Sequence, residues 1–191
     1  MIELRQYPQK DCSEQLKKQI IELQCTAWPL PDDCNIEDIQ WPGNPGIYLT
    51  SFVLADDGIA VSHVAVLHKI IAHKGESYKA FGLGEVVTHP SYHRKGLGLQ
   101  LIKEAAAFIE NNSPDISIFT CKPSLINFYA QGGWEYMEST CVVGGTRDKP
   151  FRSDSLGLAA MMRFYSARAI ENRPDFEDSD VYLELKKRQL W

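Results

Sequence analysis

Between residues 85 and 98 the chain reads Glu85-Val86-Val87-Thr88-His89-Pro90-Ser91-Tyr92-His93-Arg94-Lys95-Gly96-Leu97-Gly98. A β-prone run ends, a turn carrying bases follows, and a glycine pair opens a long amphipathic stretch. The first amides of a helix have no carbonyl partner within it and lie at the positive end of its dipole. Phosphate oxygens satisfy such donors, and the missing side chains at Gly96 and Gly98 let an anion approach. Arg94 and Lys95 add positive charge. The chemistry suited to this spacing is a cradle for a pyrophosphate; the plainer alternative is a surface turn leading into a glycine-opened helix.

Neither of the common phosphate loops is present, because one requires G-x-x-x-x-G-K-[ST] and the other G-x-G-x-x-G after a first strand. A second segment narrows the reading: Leu125-Ile126-Asn127-Phe128-Tyr129-Ala130-Gln131-Gly132-Gly133-Trp134-Glu135. Together the two segments resemble the Gcn5-related N-acetyltransferase (GNAT) superfamily, in which a strand, an R/Q-x-x-G-x-G/A turn and a helix hold acetyl-coenzyme A. That family's Y-x-x-x-G-[FW] pattern is matched by Tyr129, Gly133 and Trp134.

The resemblance implies a role for each matching position. The backbone amides of Arg94, Lys95, Gly96, Leu97 and Gly98 bind the coenzyme pyrophosphate, with His93 standing where the family has Arg or Gln. Main-chain groups of Val86, Val87 and Thr88 pair with the pantetheine arm as an added strand would, and the Val87 or Thr88 N–H polarises the acetyl carbonyl. Tyr129 matches the general acid that protonates the leaving thiolate; packing on a short helix is its plain alternative. Asn127 is a weaker coenzyme contact, since the family's usual Asn position holds Lys122. An acceptor amine must lose a proton before it attacks, and Glu85 is the candidate base, against the alternative of a solvated strand glutamate. Cys121 has no histidine partner placed by sequence to activate it, so direct attack is expected rather than a covalent acyl-enzyme.

Over its whole length the chain also resembles aminoglycoside 2′-N-acetyltransferases. The match runs from Ser62-His63-Val64-Ala65-Val66 to His73-Lys74-Gly75, and includes Gly145-Thr146-Arg147 and the terminal Trp191. It implies that the last residues fold back on the substrate cleft, with Trp41, Asp154 and Trp191 near the acceptor. Those enzymes grip a polycationic sugar with carboxylates, whereas three of the corresponding positions here hold Gln40, Gly84 and Gln189, and Glu85 stands one place from the expected acid. Losing several such carboxylates costs about a few kcal/mol of binding. The tail carries Glu171, Asp175, Glu177, Asp178, Asp180 and Glu184 against Arg173. These acids either steer a cationic amine or are merely solvated.

The elements that must position these residues follow from periodicity. Ile2 to Tyr7 alternates like a strand. Asp11 and Glu14 have capping-box spacing before a helix, striped by Leu16, Ile20, Leu23 and Ala27, that runs to about Trp28. A Pro/Gly/Asn-rich loop continues to Gly46. Tyr48–Leu54, Ile59–Ala72 and Tyr78–Thr88 form an antiparallel meander, with a tight turn at Asp57-Gly58. Within it His63 and His73 share one strand face, His68 takes the other, and all three read as sheet residues rather than metal ligands. A helix from Leu97 to Asn111-Asn112, a parallel strand at Ile116–Cys121, a short helix at Ser124–Gln131 and strands at Trp134–Val143 and Leu158–Tyr165 complete the order. The resemblance implies an α+β (α/β) acyl-CoA N-acyltransferase fold. It is a mixed, mostly antiparallel sheet flanked by helices, with splayed central strands, over residues 1–165, followed by a tail at 166–191.

Composition sets the outer bounds. A chain of 191 residues with 44% hydrophobic residues and a net charge of −5 suits one globular domain and excludes a disordered or collagen-like chain. The acidic balance argues against a nucleic-acid partner. No run approaches the ~20 apolar residues of a membrane span, and Met1–Arg5 lacks a signal-peptide core. The five cysteines form no C-x-x-C, which argues against a disulfide framework or a metal site and for a cytoplasmic location. The expected function is acetyl transfer from acetyl-coenzyme A to a primary amine of a small molecule, aminoglycoside-like at its most specific, with a homodimer as one expected assembly. Two alternatives stay open: acetylation of a protein lysine or N-terminus, and a non-catalytic acyl-coenzyme A sensor. Protein interaction through the proline-rich loop Trp28–Pro45 could accompany any of them.

Overall fold

Strand residues 85–88, the turn at 93–96 and the helices that open at Leu97 and Ile126 carry most of the candidate residues. The computed structural model describes residues 1–32, 34–39, 41, 47, 50–186 and 189–191. Gln40, the loop residues 42–46 and the expected strand start at Tyr48 lie outside the described residues. The described residues fall into two compact units, within 1–67 with 84–105 and within 68–83 with 106–191.

In the first unit β1 (Ile2–Pro8) leads into α1 (Glu14–Cys25). The helix is capped by Ser13 rather than Asp11, the Ser13 hydroxyl accepting from the Leu16 amide at 3.2 Å. Asp11 is instead spent in a 3-10 turn over Gln9–Asp11. The helix also stops before Trp28, at Thr26, whose hydroxyl donates to the Leu23 carbonyl at 2.7 Å. β2 (Thr50–Asp56) runs antiparallel to both β1 and β3 (Ile59–His73), and β4 (Glu76–Thr88) lies beyond β3. Asp57 and Gly58 both take positive φ, 47° and 83°, as the expected two-residue hairpin requires. Leu16, Ile20 and Leu23 bury the α1 stripe against Val53, Ala60 and Val87, with Trp41 packed on the edge of that cluster.

In the second unit the order is β3-β4-β5-β9-β6, where β5 is Ile116–Cys121, β6 Glu135–Met137 and β9 Ala159–Phe164. β5 is antiparallel to β9 along its whole length and parallel to β4, as expected for a buried apolar run. Among the described residues the β4–β5 ladder holds only at Ala80↔Ile116 and Phe81↔Ser117, and further along the Thr120 amide bonds the Trp191 carbonyl instead. α2 (Leu97–Asn111) supplies residues to both units, and α3 (Ile126–Ala130) belongs to the second.

The single strand expected over Trp134–Val143 is two. Thr140, tied through its hydroxyl to the Phe176 carbonyl at 2.6 Å, turns the chain after β6. The chain then enters a separate sheet, β10-β7-β8, of β7 (Cys141–Thr146), β8 (Lys149–Arg152) and β10 (Asp180–Tyr182). Residues 166–191 contain α4 (Ala167–Glu171) and α5 (Arg173–Phe176), and place Ala169, Phe176, Val181 and Leu183 fully inside the second unit's core. The result is an α+β fold with a mixed sheet flanked by helices.

Candidate active site

The glycine turn sits where β4 ends and α2 begins. The Gln100 amide is the first to reach back, bonding the Gly96 carbonyl at 2.9 Å, so the amides of Leu97, Gly98 and Leu99 precede the helical ladder. Gly96 has φ +79°, and a Cβ built on it would meet nothing within 4 Å: space lies open in front of the turn. Arg94 also adopts positive φ, 61°. Lys95 Nζ lies 4.5 Å from the centre of the Tyr92 ring, and the Tyr92 hydroxyl donates to Asp56 at 2.8 Å, which seats that cation beside the turn. The His93 ring bonds back to the Thr88 carbonyl at 2.7 Å and thereby closes the turn.

Upstream of the turn, side chains bond three carbonyls near the end of β4. Glu85 interrupts β4 with φ 55°, a left-handed conformation that kinks the strand as a bulge does. Its carbonyl is bonded by His63 Nδ1 at 3.1 Å, the Val87 carbonyl by the Ser62 hydroxyl at 3.1 Å, and the Thr88 carbonyl by His93. The Thr88 hydroxyl in turn lies 2.7 Å from that of Ser62. The backbone of Val86–Thr88 is thus fixed by side chains on its carbonyl side.

The Glu85 carboxylate accepts from Gln24 Nε2 of α1 at 2.8 Å. Protein atoms crowd it and desolvation raises its pKa, while the Trp41 indole and the Gln24 amide favour the anion. The residue is nonetheless exposed to solvent, so water tempers that shift. The Trp41 N–H lies near enough to lower the pKa but is buried without a partner in full hydrogen-bonding geometry. A cavity of about 340 Å³ opens beside Trp41, with Ile21, Ile36 and Ile39 on its apolar wall and Glu14, Lys17 and Glu37 at its polar edge.

In the second unit Tyr129 is buried on α3, its ring edge-on to Phe119 at 4.9 Å and to Phe128 at 5.0 Å. Burial, and secondarily Cys121, push its pKa above the ordinary tyrosine range, so the phenol keeps its proton at neutral pH. Burial likewise holds Cys121 as a thiol, its pKa raised to about 11. The rest of the motif is structural. Gly133 takes φ +94°, a left-handed conformation that favours glycine, and Trp134 is buried with its N–H on Ser117 Oγ at 2.9 Å. Asn127 is exposed, and its carbonyl takes a bond from Gln131.

Trp191 is buried against Gly82, and its carbonyl accepts from both the amide (2.9 Å) and the hydroxyl (2.5 Å) of Thr120. Asp154 lines a separate cavity of about 230 Å³ with Glu138, Asp178, Asp180 and Arg152. It is ion-paired to Arg152 at 2.7 Å, which also holds Asp180, and this pairing keeps the Asp154 carboxyl below the usual range. Of the acidic tail, Glu177 pairs with Arg173 and Glu184 with Arg147. Gln189 gives its carbonyl to the Gly145 amide, and a side chain at Gly84 would press on Leu67 at 2.9 Å.

The first unit therefore gathers Glu85, Trp41, Val86–Thr88 and the 93–98 turn, and the second holds Tyr129, Asn127, Asp154 and Trp191. Gln24 and His63 escape a sequence reading of function. Gln24 has no motif, whereas His63 leaves a trace, a polar ring in the Val/Ala-rich centre of a long strand. Among the described residues no cluster of His, Cys, Asp or Glu is placed to hold a metal ion, and no helix is long and apolar enough to cross a membrane.

The family model for the acetyltransferase (GNAT) domain matches residues 10–137. No curated protein matches the sequence significantly. Solved structures do. Escherichia coli ElaA superposes with a TM-score of 0.61 at 17% identity, over 85% of this chain and 99% of its own. A GNAT family acetyltransferase from Brucella melitensis in complex with acetyl-CoA gives 0.53 at 17%, over 71% and 83%. The ribosomal-protein-S18-alanine N-acetyltransferase from Escherichia coli gives 0.56 at 13%, over 87% and 95%. At these identities the likeness is one of fold.

Proposed function

Because the chain belongs to the GNAT acetyltransferase family, we propose that it transfers an acetyl group from acetyl-coenzyme A to a primary amine of a small molecule. The observation that carries this reading is the open cradle at Gly96, where α2 amides precede the ladder beside Arg94 and Lys95. An anion fits there: the space is free of side chains, the dipole is favourable, and a cation stands nearby. The amides of residues 94–98 hold the pyrophosphate, and Val86–Thr88 receive the pantetheine arm. His93 acts through the turn it closes, and Asn127 is a lesser contact.

Acetyl-coenzyme A, when bound, supplies the acetyl group as a thioester whose C–S bond breaks as the C–N bond forms. Glu85 removes the proton that an ammonium carries at neutral pH, a task suited to a carboxyl with a raised pKa. A Val87 or Thr88 amide stabilises developing charge on the carbonyl oxygen. Tyr129, protonated at neutral pH, gives its proton to the departing sulfur. Cys121 remains a thiol and takes no covalent part. Trp41 and Trp191 are assigned to the acceptor. Asp154 is also assigned to a cationic amine, which must compete with Arg152 for that carboxylate; an aminoglycoside-like compound is the most specific form of this acceptor.

The test is thiol release from acetyl-coenzyme A across a panel of small amines, aminoglycosides included, with a lysine peptide and a free N-terminal peptide alongside. Release with small amines is expected. Release with peptides alone would move the acceptor to proteins, and coenzyme binding without any release would make the protein a sensor.

A further inference from the structure

A chain of buried polar groups runs through the first unit and ends on the kink of β4. Gln9, Ser51 and His63 are each at most 1% exposed. Gln9 Nε2 lies 3.0 Å from Ser51 Oγ, Ser51 Oγ 2.9 Å from His63 Nε2, and His63 Nδ1 3.1 Å from the Glu85 carbonyl oxygen. We propose that His63 is a positioning residue for the acetyl transfer described above: by holding the Glu85 carbonyl it fixes the left-handed turn that aims the Glu85 carboxylate and sets the course of Val86–Thr88.

The polarity of this chain is forced from its far end. A carbonyl only accepts, so His63 Nδ1 must carry the hydrogen. Burial holds the imidazole pKa down to about 4, so the ring is neutral and Nε2 is bare. Ser51 must then donate to Nε2, and the Gln9 amide must donate to Ser51. Every link points toward Glu85, and one tautomer satisfies it.

The kink needs such support, because a non-glycine residue at φ 55° inside a strand is strained. Releasing the carbonyl would let residue 85 relax toward extended geometry. The side chain would then swing away from Gln24, and the backbone that follows would shift. His63 touches no substrate and acts only through Glu85, whose carbonyl it holds.

The inference rests on the proposed acetyl transfer, and the experiment separates the two. Steady-state kinetics with acetyl-coenzyme A and the best amine of the panel would be measured for the full chain and for His63→Leu, His63→Asn and Ser51→Ala, each checked by thermal melting. His63→Leu should lower kcat by about 10–100-fold while the acceptor KM changes by less than about threefold, the signature of a displaced base. His63→Asn keeps an N–H near the place of Nδ1 and should recover most of the loss. A folded His63→Leu with wild-type kcat, or a His63→Asn as impaired as His63→Leu, would overturn the role. If His63→Leu does not fold, Ser51→Ala decides: kcat lowered by about threefold or more supports the chain, and unchanged kcat refutes it. A wild-type protein that releases no thiol from any amine would overturn the acetyltransferase reading and this role with it.

Discussion

Gln24 of α1 donates to Oε2 of Glu85 at 2.8 Å, so the first helix and the kink of β4 meet at one carboxylate. The protein atoms crowded around that carboxyl raise its pKa more than Gln24 and Trp41 lower it, to an extent that its exposure to water tempers. As pH falls Glu85 is protonated earlier than an ordinary glutamate, so the acidic limb of kcat/KM lies above the usual carboxylate range, and the rate is full above that limb. For stability the folded state favours the uncharged form, a contribution present at low pH and lost as pH rises through the folded pKa. Glu85→Gln should therefore lower kcat about 100-fold, erase the acidic limb and leave the melting temperature near pH 7 no lower. Rate–pH profiles and melts of both proteins check this, and a variant that retains the limb would assign it to another group.

Tyr129→Phe removes one oxygen from a ring fixed by Phe119 and Phe128 and keeps the packing. If the phenol protonates the leaving thiolate, kcat should fall about 10–1,000-fold with coenzyme affinity nearly unchanged. Single-turnover kinetics and calorimetry separate the two quantities. Wild-type turnover in the variant would leave Tyr129 a packing residue.

Gly96→Glu combines three penalties: a side chain at φ +79°, bulk in open space that an anion needs, and negative charge at a helix N-terminus. Coenzyme affinity should drop at least about tenfold, roughly 1.4 kcal/mol or more, while the melting temperature without ligand changes far less. Calorimetry with acetyl-coenzyme A measures the first. Unchanged affinity would empty the proposed cradle.

The parts of this protein that announce themselves in sequence are those with local causes. Asp57-Gly58 imposes a hairpin wherever it stands, the Leu97–Ile109 stripe makes α2, and glycines at 96 and 98 open a helix whatever follows. The errors fall where a distant partner decides. Ser13 displaced Asp11 as the cap because Gln9–Asp11 had already turned. Trp134–Val143 reads as one strand, yet Thr140 is drawn to Phe176, thirty-six residues on, and the chain changes sheets. At the site, the glycine turn and Tyr129 carry motif spacing. The kink at Glu85 carries none, because a left-handed glutamate is sustained by His63 and Gln24 from other elements. Asp154 likewise reads as a free acid until β8 and β10 bring Arg152 and Asp180 to it.

His63 makes a second pH dependence, in stability rather than rate. Its folded pKa is depressed to about 4 from an ordinary value of 6.5. Between those values the unfolded chain binds a proton that the folded ring refuses, so this contribution is complete above pH 6.5 and is lost as pH falls toward 4. The full loss is on the order of 3 kcal/mol. His63→Asn should flatten the stability profile between about pH 6.5 and 4, measured by urea unfolding at stepped pH. An unchanged profile would show that carboxylates alone set the acid limb.

Gly82 is where Trp191 meets β4. A Cβ there would lie 2.5 Å from Trp191 Cε3 and 2.8 Å from the Ile118 carbonyl oxygen. The indole can retreat, but the carbonyl belongs to β5, whose ladder with β9 holds it. Gly82→Ala should therefore cost about 1–3 kcal/mol, lowering the melting temperature by about 3–10 °C. Part of that cost is the displaced ring, so the Gly82→Ala effect should be smaller in a Trp191→Ala background, a coupling of roughly 0.5 kcal/mol or more in a double-mutant cycle. Strict additivity would place the whole clash on the Ile118 backbone and leave Trp191 without a packing role at this glycine.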